Sequence, residues 1–169
     1  MGILGLDKKR ESGFTLMEMM VVVAIIGILV AVAIPSFSVW LPNYKLKGAV
    51  QDLYSNMQNA KMEAIKANGK YKIEFDTGAN TYTMISPDGA TQTVNLSEYG
   101  YGVTYGSPEG GDPVTYPWDK VTFNSKGMIS GLNGWVKLTN SKGCYFQVGT
   151  LVTGVIRLKK WNDSKSKFE

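Results

Sequence analysis

One carboxylate stands out for its surroundings. Glu18 sits at the mouth of Met19 to Ile34, an unbroken apolar run that Pro35 ends. An acid at mid-bilayer depth costs about 2.5–3.5 kcal/mol on insertion scales, so such a group implies a partner and a role. The chemistry open to Glu18 is charge pairing. Catalysis is not expected, because the chain has no histidine and no nucleophile with an identifiable base. Cys144 is the sole cysteine and cannot form an intrachain disulfide. It falls in an expected strand, where a buried small hydrophobe is the default. Glu109, Asp112 and Asp119, within 107–119, are oxygen ligands that calcium could use. They lack a defined ligand spacing, and a plain flexible loop is the preferred reading. No cofactor and no resident metal are expected.

The element that carries Glu18 reads as a membrane helix. With Phe14 to Leu16 the apolar segment approaches the ~20 residues needed to span a bilayer. Lys8, Lys9 and Arg10 precede it and should stay cytoplasmic, while a large C-terminal domain crosses largely regardless of its charge. Ala24, Gly27 and Ala31 form a small-residue strip that permits close helix approach. Pro35 and Pro42 are expected to kink or locally break the helix. From Asn43 to Lys66 the helical period resumes, with Leu46, Val50, Leu53, Met57, Ala60 and Ala64 on one face. Asn68-Gly69 is a suitable stop. A continuous helix from Phe14 to Ala67 would be about 80 Å long.

Beyond residue 69 the period changes to two. Tyr71, Ile73 and Phe75 alternate with Lys72, Glu74 and Asp76, a half-buried strand pattern. Further expected strands are Thr81–Ser86, Thr91–Leu96, Gly102–Tyr105, Lys120–Asn124, Trp135–Thr139, Cys144–Val148 and Gly154–Lys160. Turns at Pro87-Asp88-Gly89, Ser125-Lys126-Gly127 and Ser141-Lys142-Gly143 separate several of them. Short strands at near-regular spacing predict antiparallel sheet, and roughly 100 residues can bury a core. The aromatic residues are read as mostly core and sheet-face packing.

Three readings of the N-terminus compete. A cleaved secretory signal would use Ala31-Val32-Ala33 as a small-x-small site. A plain single-span anchor leaves Glu18 unexplained. In the third, GFTLMEMMVVVAIIGILVAVAIP resembles the N-terminal signature of type IV pilins and type II secretion pseudopilins. That resemblance implies that a prepilin peptidase cuts between Gly13 and Phe14 and that Phe14 is then N-methylated. It also implies that the Glu18 carboxylate meets the Phe14 amine of a neighbouring subunit. The tip-forming K-type pseudopilin typically lacks this acid. NAKMEAIKANG, KYKIEF, VTFNSKGMISG and GCYFQVGTLVTGVIRLKKW are further similar to the H-type pseudopilin family (GspH/FimT). The implied fold is α+β and pilin-like: a long kinked N-terminal helix, membrane-spanning in its first half, packed on a C-terminal antiparallel β-sheet head.

The formal net charge is +4. Basic residues concentrate late, at Lys137, Lys142, Arg157, Lys159, Lys160, Lys165 and Lys167, against Asp163 and Glu169. Such a cluster could bind DNA phosphates by counterion release. DNA-uptake members of the resembled family carry a basic motif like Gly-Arg-x-Arg. Gly154-Val155-Ile156-Arg157 departs from it, with Lys159 and Lys160 as partial substitutes, so nucleic acid is the less favoured partner. A solvated strand face with a disordered tail is the plainer account.

The expected organisation is a leader peptide at 1–13, a transmembrane and polymerisation helix at 14–35 and an amphipathic helix at 36–68. A β-rich head at 69–160 and a basic tail at 161–169 follow. The resemblance implies a minor structural subunit of a type II secretion pseudopilus or type IV pilus, assembled through its N-terminal helix and supporting protein export across the outer membrane, with a DNA-binding minor pilin of a DNA-uptake pilus or a pilus major subunit as alternatives. Its partners would be the prepilin peptidase/methylase, other pilins or pseudopilins, the inner-membrane assembly platform and the lipid bilayer. The head would be periplasmic, then part of a pilus or pseudopilus.

Overall fold

The computed structural model describes residues 13–169, excepting the side chains of 32–36. The leader expected at 1–13 lies outside them up to Ser12. The chain divides between Ser38 and Val39 into two compact units. Helix α1 spans Leu16–Lys66. Its backbone is helical through Pro35 and Pro42, so the local break allowed for at those prolines does not occur. A proline removes one donor from the ladder, which flanking turns of a long helix can tolerate.

In the first unit every described side chain from Phe14 to Ala31 is exposed. Among the described residues no helix is long and apolar enough to cross a membrane. From Leu16 to Ala31, where side chains are described, the helix rises about 24 Å at 1.5 Å per residue. The hydrocarbon core of a bilayer is ~30 Å thick.

In the second unit the expected helical face is the buried face. Leu46, Val50, Leu53, Met57, Ala60 and Ala64 are each at most 1% exposed, and Ala49 joins them. The helix closes through Asn68, whose φ of 47° is left-handed. The Gly69 amide donates back to the Ala64 carbonyl at 3.0 Å. The residue that turns the chain is thus Asn68, whose side chain tolerates this region better than most.

Nine strands follow in two antiparallel sheets. β1 (Tyr71–Asp76), β2 (Thr81–Ile85), β3 (Thr91–Asn95) and β5 (Lys120–Phe123) form the order β3-β2-β1-β5. β4 (Thr104–Tyr105), β6 (Gly134–Thr139), β7 (Tyr145–Thr150), β8 (Ile156–Asn162) and β9 (Lys167–Phe168) form the order β4-β6-β7-β8-β9. Ile73, Phe75, Tyr82 and Met84 of the first sheet share one buried cluster with Val136, Leu138, Val148 and Ile156 of the second. The buried stripe of α1 completes it. Period-two burial along β1 and β2 is the pleat placing alternate residues in the core.

Two turns share one sequence and one construction. Asn124-Ser125-Lys126-Gly127 and Asn140-Ser141-Lys142-Gly143 each end on a glycine with φ of 72°. In each, the Asn Oδ1 accepts two backbone N–H groups, from Lys126 and Met128 or from Lys142 and Cys144. The expected turns began one residue late and missed the asparagine that holds them.

Two expectations need correction. Residues 161–169 are not a loose basic tail: β8 runs to Asn162, β9 pairs back on it, and Trp161 meets Phe168 edge-on at 5.0 Å. Lys165 and Lys167 are also balanced by Asp163 and Glu169, with Lys165 paired to Glu169 at 2.7 Å. Cys144 precedes β7 and is half-buried, not inside a strand. The aromatic residues lie mostly in the core and on sheet faces, as expected; Phe14, Phe37, Trp40, Tyr44, Tyr101 and Trp118 are the exposed ones among the described residues.

Candidate assembly surface and cationic strand

Gly13 and Phe14 precede the helix, both exposed, with Phe14 at 79%. No heavy atom comes within 4 Å of a Cβ built on Gly13. Thr15 starts the helix: its Oγ1 accepts the Glu18 backbone N–H at 3.2 Å, and its carbonyl accepts the Met19 N–H at 3.2 Å. Thr15-Leu16-Met17-Glu18 is therefore a capping-box pattern, with the acid also favourably placed near the positive end of the helix dipole. The T-x-x-E spacing was readable in the sequence, and it gives Thr15 the duty of capping the helix start. The Glu18 carboxylate is exposed and, among the described residues, makes no ion pair. Ala24, Gly27 and Ala31 are exposed as well, and nothing lies within 4 Å of a Cβ on Gly27. An acid at the head of an exposed apolar helix can bind a cation presented on another apolar surface.

The late basic residues do not share one surface. Alternation along β8 puts Arg157 and Lys159 on one face and Lys160 on the other. Register places Trp135, Gly149 and Arg157 in one row, and Lys137, Gln147 and Lys159 in the next. Lys159 Nζ donates to the Phe168 carbonyl at 3.3 Å, and Lys137 Nζ to Ser107 Oγ at 3.2 Å. Lys160 instead lines a groove of ≈ 250 Å³ with Lys47, Trp40 and Tyr44.

The acids of 107–119 do not converge. Asp112 Oδ1 accepts the Val114 N–H at 2.9 Å, closing a turn of its own. Among the described residues no group of three or more metal-ligating side chains could hold a metal ion.

A model of the prokaryotic N-terminal methylation motif matches residues 8–34, which include Gly13, Phe14 and Glu18. The chain is 35% identical over 92 residues to a fimbrial protein of Pseudomonas aeruginosa, covering 50% of this chain and 58% of that one. It therefore spans little more than half the length of that relative. It is 30% identical over 129 residues to the type IV major fimbrial protein FimA of Dichelobacter nodosus, covering 64% of this chain and 74% of that one. In structure it is similar to the minor pseudopilin EpsH from the type 2 secretion system of Vibrio cholerae. The TM-score is 0.50 at 15% identity, over 68% of this chain and 95% of that one.

Proposed function

Because the chain belongs to the type IV pilin and pseudopilin superfamily, whose members are structural subunits and not enzymes, we propose that it is a minor subunit of a type II secretion pseudopilus or type IV pilus. It is assembled through its N-terminal helix, and in the secretion case it supports protein export across the outer membrane. The observation that carries this is the exposed acid in the first turn of a helix whose described surface is exposed and apolar.

Cleavage between Gly13 and Phe14 by a prepilin peptidase, which then methylates the new terminus, creates an α-amine of unperturbed pKa about 7.7–8.0. That cation is largely charged at neutral pH and needs an anion in a low-dielectric filament core. Glu18 of an adjoining subunit supplies it. A buried pair of this kind is better suited to specifying register than to adding stability. Before assembly the helix holds the subunit in the inner membrane, head outward, where it meets the assembly platform and other pilins. Pro35 and Pro42 bend the helix beyond the span.

The test is the mass of the mature protein together with incorporation of Glu18→Ala. Processing at Gly13 predicts a mature chain that begins with methylated Phe14. Glu18→Ala should insert normally yet enter filaments poorly. Normal incorporation would reject the pairing, and a mature chain that begins near Ile34 would reject the assembly helix altogether.

A DNA-binding minor pilin is the second reading. It is favoured only by the rows of the second sheet in which Lys137, Arg157 and Lys159 stand, residues that make no ion pair among the described residues. It predicts salt-sensitive DNA binding that Arg157→Ser with Lys159→Ser removes, while Lys160→Ser, on the other face, changes little.

A further inference from the structure

Lys160 points away from the cationic rows into a groove that the assembly chemistry leaves unused. Trp40, Tyr44, Lys47, Cys144, Phe146 and Lys160 line its ≈ 250 Å³. Asn43, also in the lining, is engaged by the Asn140 side-chain amide at 2.9 Å. The two lysines come from elements more than a hundred residues apart, helix α1 and strand β8. Neither makes an ion pair among the described residues, and no acid lines the groove. Two lysines lining one groove without a counter-charge call for an anion. The walls specify which kind, because Trp40 and Tyr44 stack at 5.1 Å with an interplanar angle of 18°. Paired Trp and Tyr rings belong at headgroup level, where one edge is apolar and the other wet.

Position along the chain supports the same source. Trp40 follows Ile34, the last residue of the apolar run, by six positions in sequence. The groove is therefore close in sequence to where the run would leave a bilayer. Taking that run as membrane-inserted, as proposed above, we propose that the groove holds the headgroup of an anionic phospholipid. The phosphate lies between Lys47 and Lys160, and the Trp40–Tyr44 pair seats the glycerol and upper acyl region. Basic residues near an anionic membrane surface are drawn to it by its negative surface potential. The site would thus hold the head against the membrane before assembly.

Cys144, the sole cysteine, lies in this groove and reports on it without any added label. The full chain is reconstituted in phosphatidylglycerol or phosphatidylcholine vesicles, floated on a density gradient, and treated with the uncharged thiol reagent N-ethylmaleimide. It should float with both vesicles, and Cys144 should react several-fold more slowly in phosphatidylglycerol. The difference should vanish in Lys47→Ser/Lys160→Ser, two substitutions at exposed positions. Inorganic phosphate added to the phosphatidylcholine sample should not slow the reaction. Equal rates in the two lipids, or slowing that survives the double substitution, overturn the headgroup site and leave the membrane helix standing. Slowing by inorganic phosphate alone overturns the lipid assignment in favour of a free anion. Failure to float with either vesicle overturns both the site and the membrane helix.

Discussion

The stretches Leu16–Ala31 and Leu46–Ala64 lie on one helix and are both rich in apolar residues, yet their surroundings are opposite. In the first, Ile25 is 52% exposed and every described neighbour is open; in the second, Leu46, Met57 and Ala64 are fully buried. The second stretch is apolar on one stripe, and two sheets cover that stripe. The first is apolar all round, and a helix of that kind normally lies in a large core or a membrane. Burying a large aliphatic side chain is worth about 1.5–3 kcal/mol. A run of such side chains without internal cover is a surface made for something outside the chain. The same physical force therefore folds the head in one stretch and supplies an assembly surface in the other.

Truncating the two stretches should separate these roles most sharply. Leu53→Ala should destabilise the head by about 2–5 kcal/mol, as buried leucines do. Ile25→Ala should change the same melt by less than about 0.5 kcal/mol. Thermal unfolding of the full chain in detergent checks both, and a large loss at Ile25 would mean that the first stretch is covered within the subunit.

A smaller effect comes from the two matched turns. Asn140→Ala leaves the Lys142 and Cys144 amides without their acceptor and removes the donor to Asn43 on the helix. Loss of stability by about 1–3 kcal/mol is expected, since buried polar groups lose their partners. Asn124→Ala breaks only the local pair and should cost less. Equal melting shifts for the two variants would show that the helix contact contributes nothing.

The smallest effect is confined to alkaline pH. Burial pushes the Tyr116 hydroxyl up to about 12, opposed in part by its bond to Thr150. Burial likewise raises Tyr82, Tyr99 and Tyr105 above the usual phenol value. These groups stay protonated in the fold while the unfolded chain loses their protons near pH 10. Above that pH the native state binds more protons than the unfolded one, so stability falls as pH rises through the folded values. Melting temperature should decline from about pH 10 upward, and Tyr116→Phe should flatten part of the decline. A Tyr116→Phe profile identical to that of the parent chain would remove Tyr116 as a cause.

Much of this molecule was readable from local pattern. The buried stripe of α1, the alternating β1 strand and the glycine turns follow from periods of 3.6 and two, together with residues that accept positive φ. What escaped was held by pairings that no period announces, one of them local and another distant in sequence. The hairpin at 161–169 depends on Trp161 meeting Phe168 and on backbone pairing at the sheet edge. Asn140 falls between an expected strand and an expected turn, and nothing nearby in sequence announces its bond to Asn43. The Thr15 cap was visible as T-x-x-E spacing before the apolar run.

By itself the sequence determined where apolar surface would be produced, at which period, and where one acid would interrupt it, because those are properties of residue order. Tertiary structure alone decided which lysines share a surface. Strand alternation sent Lys160 to the opposite face from Arg157 and Lys159, and chain folding brought it to Lys47 in the same groove. Charge acts through space, and distance in space is set by the register and packing of strands, which no count along the chain contains.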